Sequence, residues 1–219
     1  MEALTLPVHD LPLFLAAALL VNLTPGPDML FVASTSATVG RRAGVMAALG
    51  VGVGCFVHIA LAAVGLSALL ATSAWAFAVV KWTGSAYLVW MGLSMLLQRS
   101  TSEAAVPLVR SAPSMAPAKA FWMGAMTNAL NPKVALFFLA FLPQFIHPGS
   151  AGQAWAFAAL GLCFTVSGTL VNLGVAGIAG SIGRRVVSQA HGPAVGRRLR
   201  RLAGAVFVGL GVRLALSSR

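Results

Sequence analysis

Two short stretches decide how this 219-residue chain folds: Asn22-Leu23-Thr24-Pro25-Gly26-Pro27-Asp28 and Asn128-Ala129-Leu130-Asn131-Pro132-Lys133. Each sits near the middle of a long apolar run. Proline lacks a backbone donor and its ring clashes with the preceding turn, so a helix entering either stretch must break. In hydrocarbon, an interrupted backbone is tolerated only where protein or a water-filled cavity surrounds it. The breaks therefore face inward, and the runs around them read as interrupted membrane spans. Thr24 before Pro25 reads as an N-cap followed by proline at the first helical position, and Asn131 before Pro132 reads the same way.

The rest of the chain agrees with a membrane setting. It is 58% hydrophobic and only 9% charged, against about 25% charged residues in a soluble domain. A chain of this size leaves about 30% of its unfolded surface wet, too much for so apolar a composition in water. Soluble enzymes, disordered chains and fibrous proteins are poor fits. A span needs about 20 mostly apolar residues, and six stretches qualify, at about 11–37, 44–71, 74–97, 120–145, 154–179 and 202–216. The last is the shortest. The start of the chain has no Lys or Arg before Arg41, so it lacks the basic region of a cleavable signal, and the first span is expected to be retained.

The charges give orientation. Of 15 Lys and Arg, eleven fall in three linkers: Arg41 and Arg42; Arg99, Arg110 and Lys119; and Arg184, Arg185, Arg197, Arg198, Arg200 and Arg201. Positive loops stay cytoplasmic, so both termini are expected outside. The net charge of +11 then reports topology and contact with anionic lipid headgroups rather than nucleic-acid binding, for which no motif is present. The chain reads as a single polytopic domain, with halves at about 1–100 and 119–219 joined by a basic cytoplasmic linker. Cys55 and Cys163 lie inside spans and read as two buried thiols rather than a disulfide or metal site.

Aligning Pro25 with Pro132 also matches Leu23 with Leu130 and Leu30-Phe31 with Phe137-Phe138. Each break falls in the first span of a three-span half. A repeat with an odd number of spans inserts in opposite orientations, and discontinuous helices in matching positions of inverted repeats point to a midplane transport site. The expected fold is thus all-α, six spans as two inverted three-helix repeats, broken in spans 1 and 4.

An ionisable residue at a helix centre costs roughly 2.5–3.5 kcal/mol on insertion scales and is a functional candidate by default. Asp28, the only deep carboxylate, gains from the dipole at the start of the resumed helix; it reads either as helix-end stabilisation or as a contact for substrate, proton or Lys133. Lys133 follows Lys119 by 14 residues, about 21 Å of helix, so it cannot snorkel to the cytoplasmic edge. Beside a helix N-terminus it has no evident local partner. His58 is more simply bonded to a neighbouring helix than a proton carrier. Asn172, with Ser167 and Thr169, either lines a pathway or glues helices. Gln144 falls near the outer mouth, and Lys81 and Arg213 read as snorkelling anchors. Gly50 and Gly54, Gly174, Gly177 and Gly180, and Ala205 with Gly209 have the small-residue spacing of close helix packing, with homodimerisation the lesser alternative.

The same residues carry a family resemblance. Asn22-Leu23-Thr24-Pro25-Gly26-Pro27-Asp28 with Gly40-Arg41-Arg42-Ala43-Gly44 resembles the start of LysE/RhtB-type amino-acid exporters. Lys81-Trp82-Thr83-Gly84-Ser85-Ala86-Tyr87-Leu88-Val89-Trp90-Met91-Gly92 resembles their third span. Asn131-Pro132-Lys133, with Leu136-Phe137-Phe138 and Phe141-Leu142-Pro143-Gln144-Phe145, resembles their fourth. The resemblance implies a bacterial inner-membrane exporter of amino acids or close derivatives, driven by the proton motive force, with no cofactor. It places the pathway on Thr24, Pro25, Gly26, Pro27 and Asp28 and on Asn131, Pro132 and Lys133, with Asn22 opening the first motif. Homoserine, threonine, leucine, lysine and cysteine-type exporters share these motifs, so it names no substrate. One deep carboxylate leaves little negative charge for a second cation, which leans towards neutral amino acids. The alternatives are a metal or inorganic-ion exporter, which calls for ligand clusters, a passive channel, and a membrane-embedded enzyme, for which no catalytic set is seen.

Overall fold

The computed structural model describes residues 7–66, 74–97, 115–147, 150 and 152–182, with helical positions in part of 201–216. The described elements are helical: α1 (Leu11–Leu23), α2 (Pro27–Thr38), α3 (Arg41–Ala60) extended by a π-helical turn (Leu61–Leu66), α4 (Ala74–Leu97), α5 (Pro117–Ala129), α6 (Pro132–Leu136) and α7 (Gln153–Ile182). A π-helical turn (Phe137–Phe141) and a 3-10 turn (Leu142–Phe145) follow α6. Among the described residues the one β-type pairing is a bridge between Val8 and Ile146.

Two continuous helices, Arg41–Gly65 and Gln153–Ser181, are long and apolar enough to cross a membrane. Two bent pairs, α1 with α2 (48°) and α5 with α6 and its extension (44°), each qualify as one broken span. The breaks fall where the prolines require them. Of the linker expected at 98–118, residues 98–114 lie outside the described residues and α5 takes up its end from Pro117; of the surface loop expected at 180–196, α7 takes up the start to Ile182 and the rest lies outside them, as does much of the span at 202–216.

The capping expectation holds at one break and fails at the other. Asn131 caps α6, its Oδ1 accepting from the Lys133 backbone N–H at 3.0 Å. Thr24 is not an N-cap: it closes α1, its hydroxyl donating back to the Leu20 carbonyl at 2.7 Å. The chain crosses the gap on extended Gly26, and α2 starts at Pro27. With two prolines available, the second takes the first helical position.

Two apolar clusters bracket the middle of the molecule. One gathers Phe14, Phe137, Phe138, Phe141, Phe145 and Phe164 with neighbours from α1, α3 and α7. The other is built mainly of small residues, including Ala43, Ala47, Ala48, Ala120 and Ala176 with Val32 and Val51. The small side chains let α3 and α5 approach to backbone contact: a Cβ on Gly50 would strike the Phe121 carbonyl, and one on Gly54 the Ala125 carbonyl. Helix packing is thus the role of this pair. Gly174, Gly177 and Gly209 differ from expectation, since a Cβ there meets nothing among the described residues. Cys163 also differs: it is exposed, with Leu162, Val166 and Leu170, on the outward face of α7, while Cys55 is buried. An outward surface rich in Leu, Val and Trp suits lipid rather than water.

Candidate functional site

Along α7, and across both breaks, the polar positions fall between the two apolar clusters, while His58 on α3 lies among members of the first. A proline in a helix orphans the carbonyl four residues before it, because that carbonyl loses its N–H partner. Pro25 takes this partner from Val21, which keeps a 3.2 Å bond from the Thr24 backbone N–H, and Pro132 takes it from Asn128. Both carbonyls have recruited side chains from elsewhere in the fold. Lys133 Nζ donates to the Val21 carbonyl at 3.2 Å and to the Thr24 carbonyl at 3.1 Å. His58 Nε2 lies 3.0 Å from the Asn128 carbonyl; a carbonyl can only accept, so Nε2 carries the hydrogen. The Asn131 backbone N–H supplies a second bond to Asn128, at 2.8 Å.

Lys133 therefore has the local reason that its own helix does not provide. Its ammonium sits at the C-terminal end of α1, where the helix dipole favours a cation. The side chain passes over Gly26, where an added Cβ would come within 2.9 Å of Nζ. Glycine keeps that path open.

Asp28 is buried in the first turn of α2. Its Oδ2 accepts from Asn128 Nδ2 and from Asn131 Nδ2, both at 2.8 Å. The two amides bind the carboxylate across the gap between the broken spans. Asp28 and Lys133 form no ion pair with each other. Lys133 spends two donors on backbone carbonyls, and Asp28 spends one oxygen on the amides.

Both side chains line a cavity of about 30 Å³. Asn22, Asn128 and Asn172 line it too, with Cys55, Thr165 and Thr169. The cavity is large enough to admit water. Asn22 is tied to α7 through Nδ2, which donates to Ser167 Oγ at 3.0 Å and to the Phe164 carbonyl at 3.1 Å. Of the expected residues, the cavity brings together Asn22, Asp28, Lys133 and Asn172. His58 stands one contact away, behind Asn128. Gln144 lies in the 3-10 turn, partly buried and away from the cavity lining. Among the described residues, no three His, Cys, Asp or Glu side chains come together as a metal site.

A family model described as LysE type translocator matches residues 19–218. The chain belongs to the LysE family. It is thus built as a multi-pass membrane translocator, not an enzyme. This LysE-family chain is 31% identical over 202 residues to the homoserine/homoserine lactone efflux protein of Salmonella typhimurium, covering 92% of the chain and 94% of the relative. It is 33% identical over 203 residues to the leucine efflux protein of Klebsiella pneumoniae, covering 92% of each. With the threonine efflux protein of Escherichia coli it shares 30% identity over 221 residues, covering 94% of the chain and 99% of the relative. No solved structure matches it.

Reading the sequence of this LysE-family chain missed Asn128 as a site residue, although the quoted motif begins with it. Asn128 stands at the end of α5 and Asn131 caps α6, so it is the break between them that turns both amides onto Asp28. Nothing in the sequence pointed to Cys55 or Thr165, which reach the cavity only through the packing of α3 against α7.

Proposed function

We propose that this protein is a secondary active exporter of amino acids or close derivatives, carrying them out of the cytoplasm. One observation carries the reading. A single mid-molecule cavity joins a buried carboxylate and an ammonium held at two helix breaks, each with hydrogen-bonding capacity that the protein does not use. Asp28 Oδ1 accepts no bond, and Lys133 uses two of its three N–H donors. An α-amino acid carries the complementary pair of charges. The named substrates of the relatives are small amino acids or their derivatives, which supports the same class and favours an uncharged side chain.

In this reading the carboxylate of the substrate meets Lys133 and its ammonium meets Asp28. The architecture is six spans in two inverted three-helix repeats, supported by the matched proline breaks. The basic linkers lie in the cytoplasm and both termini outside, in the bacterial inner membrane. Rocking of the halves exposes the cavity to each side in turn, and the proton motive force drives the cycle.

The test is efflux from cells overproducing the chain and preloaded with labelled threonine, homoserine or leucine, with and without a protonophore. Efflux of at least one, slowed by the protonophore and lost in Asp28→Asn and Lys133→Ala, supports the proposal. Normal efflux from both variants at normal expression removes these residues from the mechanism. Flux indifferent to the protonophore points instead to a passive channel.

A further inference from the structure

Three buried side-chain oxygens in this molecule accept no hydrogen bond from the protein: Asp28 Oδ1, Asn128 Oδ1 and Asn172 Oδ1. Leaving a buried acceptor unsatisfied is costly, and native proteins do so sparingly. All three belong to residues that line the one cavity described above. Each of these side chains is more than nine-tenths buried, with relative exposures of 7%, 3% and 7%. They come from three separate helices, α2, α5 and α7.

The amide orientations follow from their partners. Asn128 must present Nδ2 to Asp28, because a carboxylate oxygen only accepts. Asn172 must present Nδ2 to the Gly168 carbonyl at 3.0 Å for the same reason. Both amides therefore turn their oxygens away from these bonds, and neither oxygen finds a donor. The result is acceptor capacity with one negative charge. The one ammonium at hand, Lys133, points its bonds towards α1.

We propose that Asp28, Asn128 and Asn172 form a subsite for a primary ammonium group, which makes this translocator selective for substrates with an unsubstituted α-amine. The inference rests on the amino-acid reading above and adds the group recognised and two residues that recognise it. A primary ammonium has three N–H donors, matching three acceptors. It carries the charge that Asp28 balances, and it is about the size of the water that the cavity admits. Alkylating the amine removes a donor and sets against the acceptor oxygens a methyl group that cannot hydrogen-bond to them. An α-hydroxy acid keeps the shape but loses the charge.

The experiment uses the full chain in proteoliposomes, preloaded with labelled L-threonine, L-homoserine or L-leucine, whichever is carried. Competitors are the unlabelled amino acid, its N-methyl and N,N-dimethyl forms, and the corresponding α-hydroxy acid. Losing one charge-assisted hydrogen bond weakens binding by about ten- to a hundredfold. Each methyl group is therefore expected to raise the inhibition constant by about that factor. Asn172→Leu should raise it for the primary amine and compress the gap between primary and N-methyl forms. Asn172→Asp, which keeps an acceptor oxygen, should preserve the gap. Equal inhibition by primary and dimethylated amines, while labelled amino acid is still carried, overturns the subsite and leaves the exporter intact. No flux of any amino acid overturns the exporter reading itself. Replacing sodium by choline should leave the constants unchanged; a tenfold loss on sodium removal would assign the oxygens to an inorganic cation and overturn the proposal.

Discussion

Lys133→Met separates two roles of this lysine that the fold has merged. Methionine keeps an unbranched stem and removes the ammonium. Two hydrogen bonds from a charged donor disappear, those to the Val21 and Thr24 carbonyls; at about 1.5–3 kcal/mol each, they total about 3–6 kcal/mol. Against this, a charge no longer has to leave water, which relieves several kcal/mol. The third contribution is the field of Lys133 at Asp28. The two groups share a cavity but make no direct ion pair, so their attraction stays below the value for contact at 4 Å, about 4 kcal/mol at an effective dielectric of 20. The first two contributions offset each other, so the single variant should lose stability chiefly through the uncompensated Asp28. Asp28→Asn should lose stability for the mirror-image reason. The double variant removes both charges and should recover part of the loss, giving a coupling of about 1–4 kcal/mol in a double-mutant cycle. Unfolding of the purified proteins in mixed micelles measures the cycle, and efflux from preloaded cells measures function. Stability should recover in the double variant while export stays lost. Additivity within about 0.5 kcal/mol, or a double variant that exports normally, would refute the reasoning.

Gly26→Ala should leave the protein folded, since the residue is in extended backbone that alanine adopts. Its Cβ would press on Lys133 Nζ, and export should fall by about ten- to a hundredfold, the scale of an ångström misplacement, with purification yield as the control. His58→Ala removes one of the two donors on the Asn128 carbonyl and should cost about 1–3 kcal/mol in the same unfolding assay; His58→Gln, which restores a donor, should recover part of it. Ser36→Ala deletes the 2.6 Å bond to the Ala176 carbonyl, away from the cavity. It should cost about 1 kcal/mol with export per molecule unchanged.

The breaks could be read from the sequence because proline lacks its donor in any surroundings. The position of Asp28 in the first turn of α2 followed from the same reasoning. What fills each orphaned carbonyl could not be read, since Lys133 lies 112 residues from Val21 and His58 lies 70 from Asn128. Lys133 consequently looked unaccounted for, when it serves the end of a different helix. Thr24 was misassigned because Pro25 and Pro27 are both acceptable first residues of a helix, and only the extended geometry of Gly26 decides between them. Asn128 passed unnoticed for a related reason. An asparagine within a helix carries no local mark of a carboxylate partner 100 residues away.

The bond from Lys133 to Val21 also bears on how the chain is made. At about 5–20 residues per second, synthesis takes roughly 6–22 s to travel from Val21 to Lys133. Throughout that interval the first broken span has already emerged, with a Thr24 carbonyl whose donor does not yet exist and a Val21 carbonyl held only by the Thr24 N–H at 3.2 Å. An early span in that condition is poorly suited to lipid, where unsatisfied backbone is expensive. The first half is therefore expected to linger beside the insertion machinery or water until the second half delivers its lysine, so the two halves mature as one unit. Splitting the gene in the linker between them should yield a first half that is short-lived alone and rescued by the second.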